Sequence, residues 1–205
     1  MSQDAKAYAR LKRALDVTLV ALAAGPALAL GVPVAVAVAL RDGRPVLHRS
    51  RRLGRDRQEF TMLKFRTMGV GAPDLRNPDG TTWSSAADPR VTPLGRVLRR
   101  TSLDELPQLI NVLRGDMSLV GPRPSPPDSQ GGFRPEDFRR YDVRPGITGL
   151  AQAELRNAGT LQQRLELDAW YADHLSLALD LQVLRRTVGR VLAREAVYRE
   201  GGGPR

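Results

Sequence analysis

Between Val17 and Leu40 the chain carries no charged side chain and is built almost entirely of Ala, Val and Leu. About 24 such residues are enough to cross a bilayer as a helix, for which roughly 20 suffice. Two features work against a plain crossing. Gly25-Pro26 lies near the middle of the run and Pro33 follows it; proline removes a backbone donor and clashes with the preceding turn. Bases also flank both ends, Lys12 and Arg13 before it and Arg41, Arg44, Arg49, Arg51 and Arg52 after it, and positive residues favour the cytoplasmic face. A helix that enters part-way, breaks at Gly25-Pro26 and returns to the same face satisfies both constraints. A spanning helix and a buried helix of a soluble domain are the alternatives. A cleaved signal peptide fits less well, because the apolar region is too long for one. The expected division is residues 1–40 as the membrane segment and 41–205 as a polar domain.

The polar part is strongly basic. The chain of 205 residues has a net charge of +10, and Lys6, Lys12 and Lys64 are its only lysines, so arginine carries the excess. That balance points to anionic partners: nucleic acid, phosphorylated ligands or an anionic membrane face. Cysteine is absent, which excludes disulfides, thiolate metal sites and a Cys nucleophile. His48 and His174 are the only imidazoles, too few for a histidine-rich metal site, and both read as structural side chains.

The expected fold class is mainly α with a few short strands (α+β). Val46-Leu47-His48 and the segment from Phe60 to Phe65 read as strands or extended segments. Gly69 to Pro89, rich in Gly, Pro, Asp and Ser, reads as an exposed loop. Helical spacing appears at Leu94, Val97 and Leu98, again at Leu106, Leu109, Ile110 and Leu113, and from Leu161 onward. Arg185, Arg186, Arg190 and Arg194 interleave with the last of these patterns. A basic amphipathic helix of that kind either lies in the headgroup plane or packs on a core with a solvated face.

The densest chemistry lies in Arg99-Arg100-Thr101-Ser102-Leu103-Asp104-Glu105-Leu106-Pro107-Gln108-Leu109. Ser102 followed by Glu105 is a capping-box pattern, so Glu105 has a purely structural reading. On either reading Asp104 and Glu105 sit at a helix N-terminus, where the backbone dipole favours negative charge. Adjacent carboxylates on a helix diverge by about 100°, which suits a division of labour: one attacks an electrophile and the other holds a hard cation such as Mg²⁺. Arg96, Arg99, Arg100, Arg114 and Arg123 lie nearby in sequence. Such donors bind pyrophosphate and keep a carboxylate ionised; ion pairing on a surface is the plainer account.

Several segments then occur in a fixed order: Lys12-Arg13-Ala14-Leu15-Asp16, Lys64-Phe65-Arg66-Thr67-Met68, Ser102 to Leu109, Asn111 to Pro124, and Arg144-Pro145-Gly146-Ile147-Thr148-Gly149-Leu150-Ala151-Gln152. Together they resemble the bacterial sugar transferase family, the monotopic polyprenyl-phosphate phosphoglycosyl transferases in their minimal catalytic form. The resemblance implies a re-entrant membrane helix broken at Gly25 and Pro26, and a cytosolic catalytic domain with amphipathic interfacial helices at the bacterial inner membrane. It implies transfer of a sugar-1-phosphate from a UDP-sugar to undecaprenyl phosphate with release of UMP, at the first membrane step of glycoconjugate assembly. Asp104 would be the nucleophile, Glu105 would bind Mg²⁺, and Lys64, Arg66, Arg99, Arg123, Pro124 and Arg156 would line the substrate site. Asp16 would anchor the membrane segment through Lys12 or Arg13. Gly25 stands where relatives often carry Ser, Leu150 where tryptophan is frequent, and Leu155 where many have Gly before the Arg-Asn pair; these departures bear on the helix kink, on sugar specificity and on the Arg156 contact, not on the reaction class. Membrane lipids are expected partners and nucleic acid is not, since no recognition motif is present and stacking aromatics are few. The oligomeric state stays open, a homodimer among the options. A basic membrane-tethered scaffold remains the rival reading.

Overall fold

Helical structure begins at Gln3 and runs to Arg41 (α1), taking in the whole apolar run with Gly25, Pro26 and Pro33. The computed structural model describes residues 3–75, 83, 85, 87–155 and 159–192. The interruption expected at Gly25-Pro26 is therefore not a loss of helix. Each proline removes one donor while the Ala- and Leu-rich turns around it keep their own bonds, so any bend is made within the helix. Leu22, Leu28, Leu30, Val32 and Val36 are each more than half exposed. An 18-residue window of α1 has a mean hydropathy of 2.2 and only 6% of it is buried in the protein. Such a surface is long and apolar enough to enter a bilayer.

Both arms of α1 rest on the polar domain. Val20 is buried with Met62, Val112 and Met117, and Val38 with Phe65 and Leu98. Polar contacts fix the first arm more tightly. Lys12 Nζ and Tyr8 OH donate to Asp180 Oδ2 at 2.6 and 2.7 Å, and Tyr171 OH donates to Asp180 Oδ1 at 2.5 Å. Asp16 does anchor the helix, but chiefly by accepting from Ser118 Oγ at 2.7 Å and Leu119 N at 3.2 Å, with Lys12 at 4.0 Å. Arg13 instead donates to the carbonyls of Val112 and Leu113, satisfying the free carbonyls at the end of a helix.

The expected strands form an antiparallel hairpin, β1 (Leu47–Leu53) against β2 (Glu59–Phe65), with Leu47 opposite Phe65 and Leu53 opposite Glu59. The first strand is longer than its apolar start because alternate arginines on it face outward. Helix α2 (Pro93–Thr101) begins at Thr92, whose Oγ1 accepts from Gly95 N at 2.9 Å, with Pro93 in the first turn. This is the favoured chemistry of a helix start. Helix α3 (Gln108–Arg114) ends on Gly115 at φ 92°, a left-handed position suited to glycine. Strands β3 (Ser118–Val120) and β4 (Gly146–Thr148) pair in parallel. Helices α4 (Leu150–Leu155), α5 (Leu161–Asp173) and α6 (Leu177–Leu192) follow. Val120, Leu150, Tyr171, Leu175 and Val183 share their core. Leu179 and Val183 of α6 are buried, while Leu177, Leu181 and Val188 are exposed beside Arg185. One face of α6 is thus core and another is mixed apolar and basic; Arg194 lies outside the described residues.

The stretch from Gly69 to Pro89 is only partly described, and two of its residues differ from an exposed loop: Trp83 and Asp88 are 7% and 1% exposed. Arg90 holds them, donating to Asp88 Oδ2 and Pro73 O at 2.7 Å with its guanidinium 5.1 Å from the Trp83 ring. Polar composition gives no sign of a clamp of this kind, which is assembled by folding.

Gly95 sets how closely α2 approaches the segment just after β2. A Cβ there would lie 2.1 Å from the Thr67 carbonyl oxygen, and Arg99, one turn on, donates from Nε to Thr67 Oγ1 at 2.9 Å. Gly95→Ala is expected to destabilise the protein by about 2–3 kcal/mol, read as a lower thermal midpoint.

Candidate active site

The turn that carries the two carboxylates is shaped by Ser102, which takes φ 57° and ψ 15° at the end of α2 and throws the chain into a single 3₁₀ turn, Leu103–Glu105. A left-handed non-glycine residue is strained by about 1–3 kcal/mol and is held there by its surroundings. The capping-box reading fails here: Ser102 makes no side-chain cap, and Glu105 turns away to Lys64. Nor does the pair open an α-helix, since α3 begins only after Pro107. The cause is the left-handed turn, which separates the carboxylates from the regular helix.

Asn111, fully buried on α3, fixes this turn against the hairpin. Its Oδ1 accepts from Leu63 N at 3.0 Å and its Nδ2 donates to Thr61 O at 2.8 Å, bonds that a neighbouring strand would otherwise make. Lys64, the next residue of β2, is thereby set beside Glu105: Nζ to Oε1 is 2.7 Å. Arg123 approaches the same oxygen at 3.4 Å from the loop after β3.

Asp104 and Glu105 have been made unequal. Burial works to raise the Glu105 carboxyl, but the charges and hydrogen bonds of Lys64 and Arg123 overcome it and hold it at about 2. Burial raises the Asp104 carboxyl, and the Glu105 charge adds to that against the pull of Lys64, Arg99 and Arg123. Lys64 itself is lowered by burial, with Glu105 opposing. Asp104 is 8% exposed, and no described residue donates a hydrogen bond to its carboxylate. It opens on a cavity of about 1920 Å³ lined also by Lys64, Arg99, Arg100, Arg123 and Pro124.

Five of the expected substrate and catalytic side chains thus meet around Asp104: Lys64, Arg99, Glu105, Arg123 and Pro124. Arg66 borders the same cavity, but its guanidinium is committed to the carbonyls of Asp42, Gly43 and Arg44 just beyond α1. That makes it a clamp on the end of the apolar helix, reached from the residue just past the end of β2. Arg156 lies outside the described residues. His174 stacks on Trp170 at 4.1 Å and is structural, whereas His48 lines the cavity. Asn111 and Arg140 were not singled out from sequence; their partners are too distant along the chain to give a local signal. Arg140 is buried behind the Arg123 loop, donating to Arg123 O at 2.7 Å and Asp168 Oδ2 at 2.8 Å, and also to Ser125 Oγ.

Residues 7–194 match the model of a family described as bacterial sugar transferase. The chain belongs to that family. The transferase is 44% identical over 160 residues to the sugar transferase EpsL of Bacillus subtilis, covering 78% of this chain and 76% of that protein. It is 41% identical over 197 residues to the UDP-glucose:undecaprenyl-phosphate glucose-1-phosphate transferase of Caulobacter vibrioides, covering 91% of this chain and 72% of that one. It is 42% identical to the undecaprenyl-phosphate glucose phosphotransferase of Komagataeibacter xylinus, covering 87% of the transferase but only 35% of that longer protein. The cavity around Asp104 therefore belongs to a sugar transferase.

Proposed function

We propose that the protein transfers a sugar-1-phosphate from a UDP-sugar to undecaprenyl phosphate in the bacterial inner membrane, releasing UMP, as the first membrane step of exopolysaccharide, O-antigen or glycoprotein glycan assembly. The observation that carries the reading is the division between Asp104, open to the cavity and accepting no hydrogen bond from a described residue, and Glu105, ionised and clamped by two cations. An oxygen of Asp104 attacks the sugar-linked phosphorus, the bond from that phosphorus to the bridging oxygen breaks, and the electron pair leaves with UMP. A phosphate oxygen of undecaprenyl phosphate then attacks the same phosphorus and frees the Asp104 carboxylate. Lys64, Arg99 and Arg123 bind and orient the diphosphate, since phosphoryl transfer depends mostly on positioning and charge stabilisation. The exposed apolar side of α1 brings the lipid from one leaflet in a re-entrant arrangement, with the catalytic domain facing the cytoplasm.

Mg²⁺ fits this donor set. No group of three or more His, Cys, Asp or Glu forms a cage among the described residues, and Mg²⁺ is typically held by one or two carboxylates together with substrate phosphates. Glu105, and Asp104 before it reacts, would hold the ion, which when bound neutralises charge on the diphosphate. Incubation with a panel of UDP-sugars, undecaprenyl phosphate and Mg²⁺ is expected to release UMP with one or a few of them; no release with any would overturn the reading. Glu105→Gln should raise the Mg²⁺ concentration for half-maximal rate by about tenfold, as one charged ligand contact is lost. An unchanged Mg²⁺ dependence would remove Glu105 from that role.

A further inference from the structure

Strand alternation puts His48, Ser50 and Arg52 of β1 on the same face of the hairpin as Lys64, and His48 is directly paired with Lys64 in the register. Side chains so paired stand about 5 Å apart at Cβ. Lys64 is the residue that reaches Glu105, so His48 stands at the edge of the reactive pair, in the wall of the same cavity. Its imidazole faces that cavity and makes no hydrogen bond or ion pair with a described residue. We infer that His48 is a diphosphate-binding residue that takes up a proton as the nucleotide's phosphates enter the cavity, an inference that rests on the transferase reaction proposed above.

The charges that face His48 come from each element around it: Arg52 on β1, Lys64 on β2, Arg99 on α2 and Asp74 in the segment after β2. Burial lowers the imidazole below its ordinary value, Arg52, Lys64 and Arg99 lower it further, and Asp74 opposes them. Without substrate the ring is therefore neutral near pH 7. A diphosphate bound by Lys64, Arg99 and Arg123 reverses the sign of the local field and favours the imidazolium. A proton taken from solvent by the second ring nitrogen makes His48 a charged donor to a phosphate oxygen, and affinity then rises as pH falls. No bond of the substrate is broken in this step.

The test is calorimetric binding of UDP with Mg²⁺ to the full chain in detergent, in buffers of different ionisation enthalpy. The wild type should take up more proton per UDP bound than His48→Gln at pH 6.5. His48→Gln should weaken binding by about five- to tenfold at pH 6.5 and by less than about twofold at pH 8.5, the loss of one charge-assisted contact. His48→Arg, with a permanent charge, should restore affinity at both pH values without the proton uptake. Equal proton uptake by the wild type and His48→Gln overturns the role of His48 alone. Failure of the wild type to bind UDP overturns the transferase reading and this inference with it.

Discussion

Asp104→Asn is expected to lower UMP release by more than about a thousandfold, as removal of a covalent nucleophile does, while leaving the thermal midpoint close to that of the wild type. The side chain accepts no hydrogen bond from a described residue, so the isosteric amide breaks no contact that supports the fold. Intact-mass measurement after mixing with the UDP-sugar that supports turnover should show a sugar-phosphate adduct on the wild type and none on the variant. Turnover near the wild-type rate in Asp104→Asn would end the nucleophile assignment. The same assignment fixes the sign of the acid limb. Burial raises Asp104, and only its ionised form attacks, so kcat/KM of the wild type should fall with decreasing pH from a point above the usual carboxylate range. Glu105, held at about 2, stays ionised through that interval. The limb should therefore have the slope of one group, and it should persist in His48→Gln, where the opposite limb is lost.

The elements of this fold were legible where their cause is local. Alternation marked both strands of the hairpin, helical spacing marked α2 and α3, and the uncharged run marked α1. The candidate site was legible only in part, because its geometry is made by pairs remote in sequence. Glu105 has two local readings, cap or metal ligand, and what takes it out of the cap is Lys64, 41 residues away. Arg66 has the residue type of a phosphate ligand, yet three backbone carbonyls near the end of α1 claim it. Nothing in the text around Asn111 says that it replaces a strand neighbour for Thr61 and Leu63. The prolines of α1 leave the helix continuous, because a missing donor is a local cost and the turns on either side keep their own bonds.

Arg140→Met is expected to be among the most destabilising single changes in the domain, and to become more so as pH rises. The guanidinium is 5% exposed and donates to Asp168, to the Arg123 carbonyl and to Ser125. Without it Asp168, 4% exposed, loses its 2.8 Å ion pair, and the charge of Arg164 is left to oppose burial. Breaking a buried pair in this way costs about 3–5 kcal/mol, or roughly 10 °C in thermal midpoint for a chain of this size. Burial already raises Asp168 to about 6 even against the pull of Arg140. A folded-state value above the unfolded one means stability that is fully present below the unfolded value and lost as pH rises through about 6. Removing Arg140 moves the folded value higher, so the loss continues to higher pH and the penalty should be small at pH 5 and near its full size at pH 8. Midpoints taken across that range should diverge; a penalty independent of pH would show that the Asp168 charge is not its cause. Replacing both partners, Arg140→Met with Asp168→Leu, should recover part of the stability at pH 8, because no buried charge then remains. It should not recover turnover, because the Arg123 carbonyl has lost the donor that holds its loop against Glu105.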